Sequence, residues 1–171
     1  MSTVNNPITI FASAGSRFTM DRLFSGLDKV VNKHPAIRVK AQTGNSSYQS
    51  SVLEVIRHLS ADKFEDAVRE CDIFVSHAGM GNVLLAAQLN KPLIIMPRRV
   101  SLGEHINDHQ IDTAQAFSYR PGVTIVNNTQ ELESAILSAM NFSRADNTQE
   151  LRINDPRKEL ISTLKAFIDN D

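Results

Sequence analysis

His77-Ala78-Gly79-Met80-Gly81-Asn82 sets an imidazole, two glycines and a carboxamide between two apolar runs, Ile73-Phe74-Val75 and Val83 to Leu89. Glycine lets backbone approach a ligand closely. The first turn of a helix adds N–H groups and the positive end of its dipole, so this segment suits an anion such as a diphosphate. The same residues also fit a tight strand-to-helix turn that binds nothing. Two other segments carry polar chemistry after an apolar run. One is Ser13-Ala14-Gly15-Ser16, a small-residue loop, and the other runs from Arg98 to Gln110 with Glu104, His105, Asn107 and His109 inside it. His105 and His109 stand at i and i+4 with Glu104 and Asp108 beside them, which would set two imidazoles on one helical face. Zinc needs a third protein ligand and none is evident, so solvated or substrate-binding roles stand against the metal reading.

The elements that position these residues alternate. Ile8 to Ala12 reads as a buried strand. A helix follows, with Thr19 as its N-cap and Leu23, Leu27, Val30 and Val31 on one face, stopped by Pro35. Ile37, Val39 and Ala41 alternate with charged or polar neighbours, the period of a half-exposed second strand. Val52 to Leu59 fits a third strand better than a helix, although Val52, Val55 and Ile56 suit either. Asp62 with Glu65 resembles a capping box, ahead of Phe64, Ala67, Val68 and Cys71 at helical spacing. Ile73 to Ser76 is a fourth strand, and the helix from Gly81 to Leu89 ends at Asn90, which tolerates a left-handed cap before Pro92. Leu93 to Met96 is the fifth strand. The Arg98 to Gln110 segment leads into a helix through Phe117, Val123 to Val126 is the sixth strand, and Asn128 with Glu131 caps a helix carrying Leu132, Ala135, Ile136 and Ala139.

Such alternation implies an α/β fold with a parallel sheet of about six strands covered on both faces. In an open parallel sheet, ligands sit beyond the carboxyl ends of the strands, so Gly15, Gly44, the His77–Asn82 turn and the Arg98 to Gln110 segment can converge. Residues 1–140 form this domain. Residues 141–171 read as a polar linker from Asn141 to Pro156 and a terminal amphipathic helix with Leu160, Ile161, Leu164 and Ile168, packing on the domain or on a partner.

Composition narrows the function classes. With 171 residues, 42% hydrophobic and 22% charged, the chain has the makeup of an ordinary globular domain. A formal charge of −1, no Trp and two Tyr supply neither a basic face nor a stacking platform, which argues against nucleic acid. The lone Cys71 reads as a packed thiol in a reducing compartment. A polar Met1 to Pro7 and the absence of an apolar run of ~20 residues place the expectation in the cytoplasm, with membrane contact only at the surface or through a partner. A dinucleotide fingerprint would need G-x-G-x-x-G after the first strand, where only Gly15 stands, and the P-loop Gly-Lys-Ser/Thr is absent.

Asp72 to Gly81, Lys91 to Arg99 and Gly103 to Gln110 together resemble the C-terminal domain of family 28 glycosyltransferases. Upstream, Gly15 with Phe18 and Asp21-Arg22-Leu23, and then Gln42 to Tyr48, fit the same pattern. The likeness covers most of residues 8–140 and is most specific over Gly103 to Gln110. It extends to the small subunits of bacterial exopolysaccharide glycosyltransferases. It is also similar to the small subunit of the eukaryotic two-subunit N-acetylglucosaminyl transferase of dolichol-linked oligosaccharide synthesis.

The resemblance implies a Rossmann-like, doubly wound domain equivalent to the C-terminal half of a GT-B enzyme. In that reading the chain binds a UDP-sugar as substrate, without cofactor or metal. A separate membrane-associated subunit binds the lipid-linked saccharide acceptor, and the chain sits at the cytosolic face of a membrane through that partner. Gly15, His77, Gly79, Met80, Gly81 and Asn82 would hold the diphosphate. Arg98, Glu104, Asn107, His109 and Gln110 would hold the donor sugar or nucleotide, and His77 and His109 are the candidate catalytic groups. The family usually carries an acidic ribose contact in the helix after the glycine turn, where this chain has Leu85. That departure keeps a noncatalytic, nucleotide-sugar-binding or stabilising subunit as the alternative, with Gln88 one turn on as a replacement contact. His34 and His58 are expected to be structural or surface residues.

Overall fold

Ile10 and Ala12 of the first strand point into one hydrophobic cluster while Phe11, between them, points into another, so both faces of the sheet are covered. The structure is a computed structural model and describes residues 7–146, with side chains as far as residue 141. Its strands are β1 (Ile8–Ser13), β2 (Ile37–Gln42), β3 (Glu54–Ile56), β4 (Ile73–Ser76), β5 (Leu93–Ile95) and β6 (Val123–Ile125). Its helices are α1 (Asp21–Lys33), α2 (Ala61–Glu70), α3 (Met80–Gln88), α4 (His109–Phe117) and α5 (Leu132–Asp146).

All neighbouring strands are parallel, in the order β3-β2-β1-β4-β5-β6. Growth of the sheet therefore reverses between β1 and β4. Leu23, Phe24 and Leu27 of α1 and Leu132 and Ile136 of α5 cover one face, while Val68 of α2, Val83 and Ala86 of α3, and Ala114 and Phe117 of α4 cover the other. Burying a Leu or Phe contributes about 1.5–3 kcal/mol, so these two layers fix the sheet. Register brings Ser13 level with Gln42 on one side and Ser76 on the other, and Ser76 level with Ile95. The loops leaving β1, β2, β4 and β5 thus start from one edge.

Several expectations shift at element ends. Met20, not Thr19, is the N-cap of α1, and its buried side chain rather than a hydroxyl bond anchors the start. Ser60 precedes α2 without a side-chain cap bond, so Asp62 and Glu65 form no capping box. Both proposed caps lost to burial and backbone pairing, which local pattern does not register. By contrast, Asn128 Oδ1 accepts from the N–H groups of Gln130 and Glu131, and Asn90 adopts φ 53°, as its cap role requires. Cys71 is packed, and burial pushes its thiol up to about 11. Helix α5 continues into the segment read as linker, since residues 141–146 contain no Gly or Pro to stop it. The helix expected at Leu160 to Ile168 lies outside the described residues.

No helix crosses over between β2 and β3. Instead, residues 43–53 lie along α1 as a strap. Ser46 Oγ donates to Asp21 at 2.5 Å, and Ser50 Oγ (2.5 Å) and the Tyr48 hydroxyl both donate to Asp28. The strap reaches the β1–α1 loop through Gly44, whose φ is +63° and where a Cβ would lie 2.4 Å from the Gly15 carbonyl oxygen. Only glycine fits that contact.

Candidate functional site

A cleft of about 760 Å³ opens between the loops that leave β1 and β4, where the sheet reverses. A second hollow of about 810 Å³ lies where strands begin, against Thr9, Pro35 and Arg38, and lacks a converging set of loops. The first is therefore the candidate site.

His77 leaves β4 and accepts a hydrogen bond at Nδ1 from the Gly79 N–H at 3.1 Å. That bond fixes the tautomer and leaves Nε2–H as the donor. The ring stands over Gly15, where a Cβ would lie 2.6 Å from His77 Nε2 and 3.4 Å from an Arg98 nitrogen. Burial pushes the imidazole down to about 4, with Arg98 and His105 adding to the effect. The ring is neutral at physiological pH. Asn82 Nδ2 donates to Ser76 Oγ at 2.6 Å, which holds the first turn of α3 against the end of β4.

Arg98 is 3% exposed and lines the cleft. One of its terminal nitrogens donates to the carbonyls of Ala14 and of Phe18 (2.8 Å), the guanidinium lies 5.4 Å from the Phe18 ring, and Nε has no partner. Burial lowers its pKa, and Glu104 opposes this without bonding it. Glu104 instead grips Arg22 through both oxygens, at 2.6 and 3.0 Å, and accepts from the Arg99 N–H at 3.1 Å. The cleft thus contains a buried cation with no hydrogen-bonded carboxylate, next to a helix N-terminus. Anions are favoured at such a point.

The expected site residues divide accordingly. Gly15, His77, Gly81, Asn82, Arg98 and Gln110 line the cleft, although Gln110 is buried and its Oε1 accepts from the Arg98 N–H at 3.2 Å. Gly79 and Met80 form the turn behind that wall. Glu104 is committed to the clasp with Arg22. Asn107 and His109 are exposed, bond to one another and lie off the cleft wall. His105 precedes α4 and His109 begins it, so the two imidazoles share no helical face; their rings meet edge to face at 4.8 Å. Among the described residues, no group of three or more His, Cys, Asp or Glu is arranged to hold a metal.

The cleft also takes in residues outside the expected diphosphate and donor set. Phe18 lies 5.0 Å from His105, and exposed His58 lines the wall with Leu59. Gln42 joins the loops, donating to Ser13 Oγ at 3.5 Å and accepting from the Leu59 N–H at 3.0 Å. Its placement on the last residue of β2, beside two loop-bearing strands, was the available signal. Leu85 and Gln88 of α3 and Glu65 of α2 complete the wall.

The model of the glycosyltransferase family 28 C-terminal domain matches residues 13–164. UDP-N-acetylglucosamine transferase subunit ALG13 of Candida albicans is 24% identical over 115 residues, 67% of this chain and 36% of that protein. Among solved structures, the glycotransferase of kitacinnamycin superposes with a TM-score of 0.63 at 16% identity, covering 97% of this chain and 40% of that one. MurG of Acinetobacter baumannii gives 0.61 at 15% identity, covering 96% and 51%. These two structural likenesses show the fold. The chain spans about a third of the curated relative's length and about half or less of these two structures.

Proposed function

The chain belongs to the glycosyltransferase family 28 C-terminal domain family, and from that premise we propose that it is the donor-binding, catalytic subunit of an inverting glycosyltransferase using a UDP-sugar. It acts with a membrane-associated partner that presents a lipid-linked saccharide, in exopolysaccharide or related glycan synthesis at the cytosolic face of a membrane. The observation that carries this reading is Arg98, a buried cation without a bonded carboxylate beside the first turn of α3. A diphosphate supplies the negative charge that Arg98 lacks among its bonded partners.

In this reading the acceptor hydroxyl attacks the anomeric carbon, the bond from that carbon to the diphosphate oxygen breaks, and UDP leaves with the electron pair. The hydroxyl proton passes to a base on the partner's side. Arg98, the α3 N-terminus and the His77 Nε2–H stabilise the charge that develops on the leaving group. In this reading these groups supply that stabilisation without a metal. The partner is motivated by a relative that is itself named as a transferase subunit. No helix among the described residues is long and apolar enough to cross a membrane.

Calorimetric titration of the chain with UDP, ATP and NAD tests the donor site. UDP binding that exceeds the other two supports the reading; equal binding of all three, or none, refutes it. Leu85 on the cleft wall favours a second reading, a noncatalytic donor-binding or stabilising subunit. The two part in a transfer assay with the reconstituted complex: an Arg98→Lys subunit lowers transfer if the cleft is catalytic and leaves it unchanged if the subunit only stabilises its partner.

A further inference from the structure

The cleft has two chemically different ends. Arg98, His77 and the first turn of α3 make one end a site for anions. Along α3, Leu85 and Gln88 lie about 6 and 10 Å from Gly81, given the rise of a helix. Across from them on α2 stands Glu65, the single carboxylate among the described residues lining this cleft. A nucleoside diphosphate has matching polarity, because its phosphates are acceptors and its ribose offers two adjacent hydroxyl donors. A carboxylate has two acceptor oxygens and no proton to clash with those donors, whereas Leu85 has neither donor nor acceptor.

We propose that Glu65, assisted by the Gln88 amide, binds the ribose hydroxyls of the nucleotide, so that the charged contact to the diol comes from α2. The proposal rests on the UDP-sugar reading above and names its ribose subsite. Glu65 is available for the role. It makes no capping box, and its only bonded partner among the described residues is Arg69, one turn away on the same helix. Their side chains are 50% and 56% exposed. A pair so exposed is worth little and yields to a ligand without leaving a buried charge behind. Helices α2 and α3 pack side by side on the same face of the sheet, which brings the Glu65 and Gln88 side chains to one wall.

The test compares UDP with 2′-deoxy-UDP by calorimetry on the full chain. The wild-type chain should prefer UDP by about tenfold, the scale of a hydrogen bond to a charged acceptor. Glu65→Ala should bind both ligands alike, and more weakly than the wild-type chain binds 2′-deoxy-UDP, whose 3′-hydroxyl still reaches the wild-type carboxylate. Substitution at this exposed position leaves the core untouched, and a purely structural effect would weaken both ligands equally and keep their ratio. A retained preference in Glu65→Ala, or none in the wild-type chain while UDP still binds, overturns this assignment alone. Absence of UDP binding in the wild-type chain overturns the parent reading and this one with it.

Discussion

Acid should expose the state of His77. Its imidazole sits at about 4 in the folded chain against 6.5 when free, because burial and the nearby Arg98 disfavour the charged ring. Between those values the unfolded chain binds a proton that the folded chain refuses. The contribution of the neutral ring is therefore complete above pH 6.5 and is lost as pH falls toward 4. At pH 5 the loss amounts to about 2 kcal/mol, and below pH 4 to about 3 kcal/mol, ceilings because one edge of the half-buried ring reaches the cleft. Against a stability of about 5–15 kcal/mol this is measurable. Urea unfolding of the wild type and His77→Gln at pH 7 and pH 5 isolates it, since every other titrating group cancels in the double difference. The wild type should lose up to about 2 kcal/mol more than the variant. Equal losses, or an imidazole that titrates above pH 6 by NMR in the folded chain, would refute the reasoning.

Gly44→Ala should destabilise the chain by about 2 kcal/mol or more, since it combines a left-handed backbone with a Cβ driven against the Gly15 carbonyl; an unchanged melting temperature would remove the strap contact from the account. A double-mutant cycle on Arg22→Ala and Glu104→Ala should give a coupling of about 1–3 kcal/mol, because the pair is bidentate and its side chains are only 19% and 7% exposed; additive losses in urea would show that the clasp is not a unit.

The sequence shows the fold where local pattern and tertiary packing agree. The run Ile73 to Ser76 is buried throughout and bounded by Asp72 and the glycine turn, so its strand is legible to the residue. Asn90 and Asn128 are legible because their roles are local. Glu104 is not: its type and its place between histidines and a glycine suggest a ligand contact, but its partner Arg22 lies 82 residues away in sequence. Long-range pairing leaves no trace in spacing. Glu65 was hidden for the opposite reason, since a plausible local role, the capping box, accounted for it before its helix had a neighbour. Arg98 was legible as a candidate binding group, while the two loop carbonyls that hold it were not.

Those two carbonyls have a kinetic consequence. The guanidinium on the cleft wall also ties down the backbone at Ala14 and Phe18, so on the donor-binding reading it is held in place whether or not an anion is bound. Each arriving ligand meets a cation already in position, and little side-chain freedom remains to be lost on binding. Departure is equally free of loop rearrangement at this point. On the proposed donor-binding reading, exchange of a spent nucleotide for the next would need no rearrangement of the β1–α1 loop at Arg98.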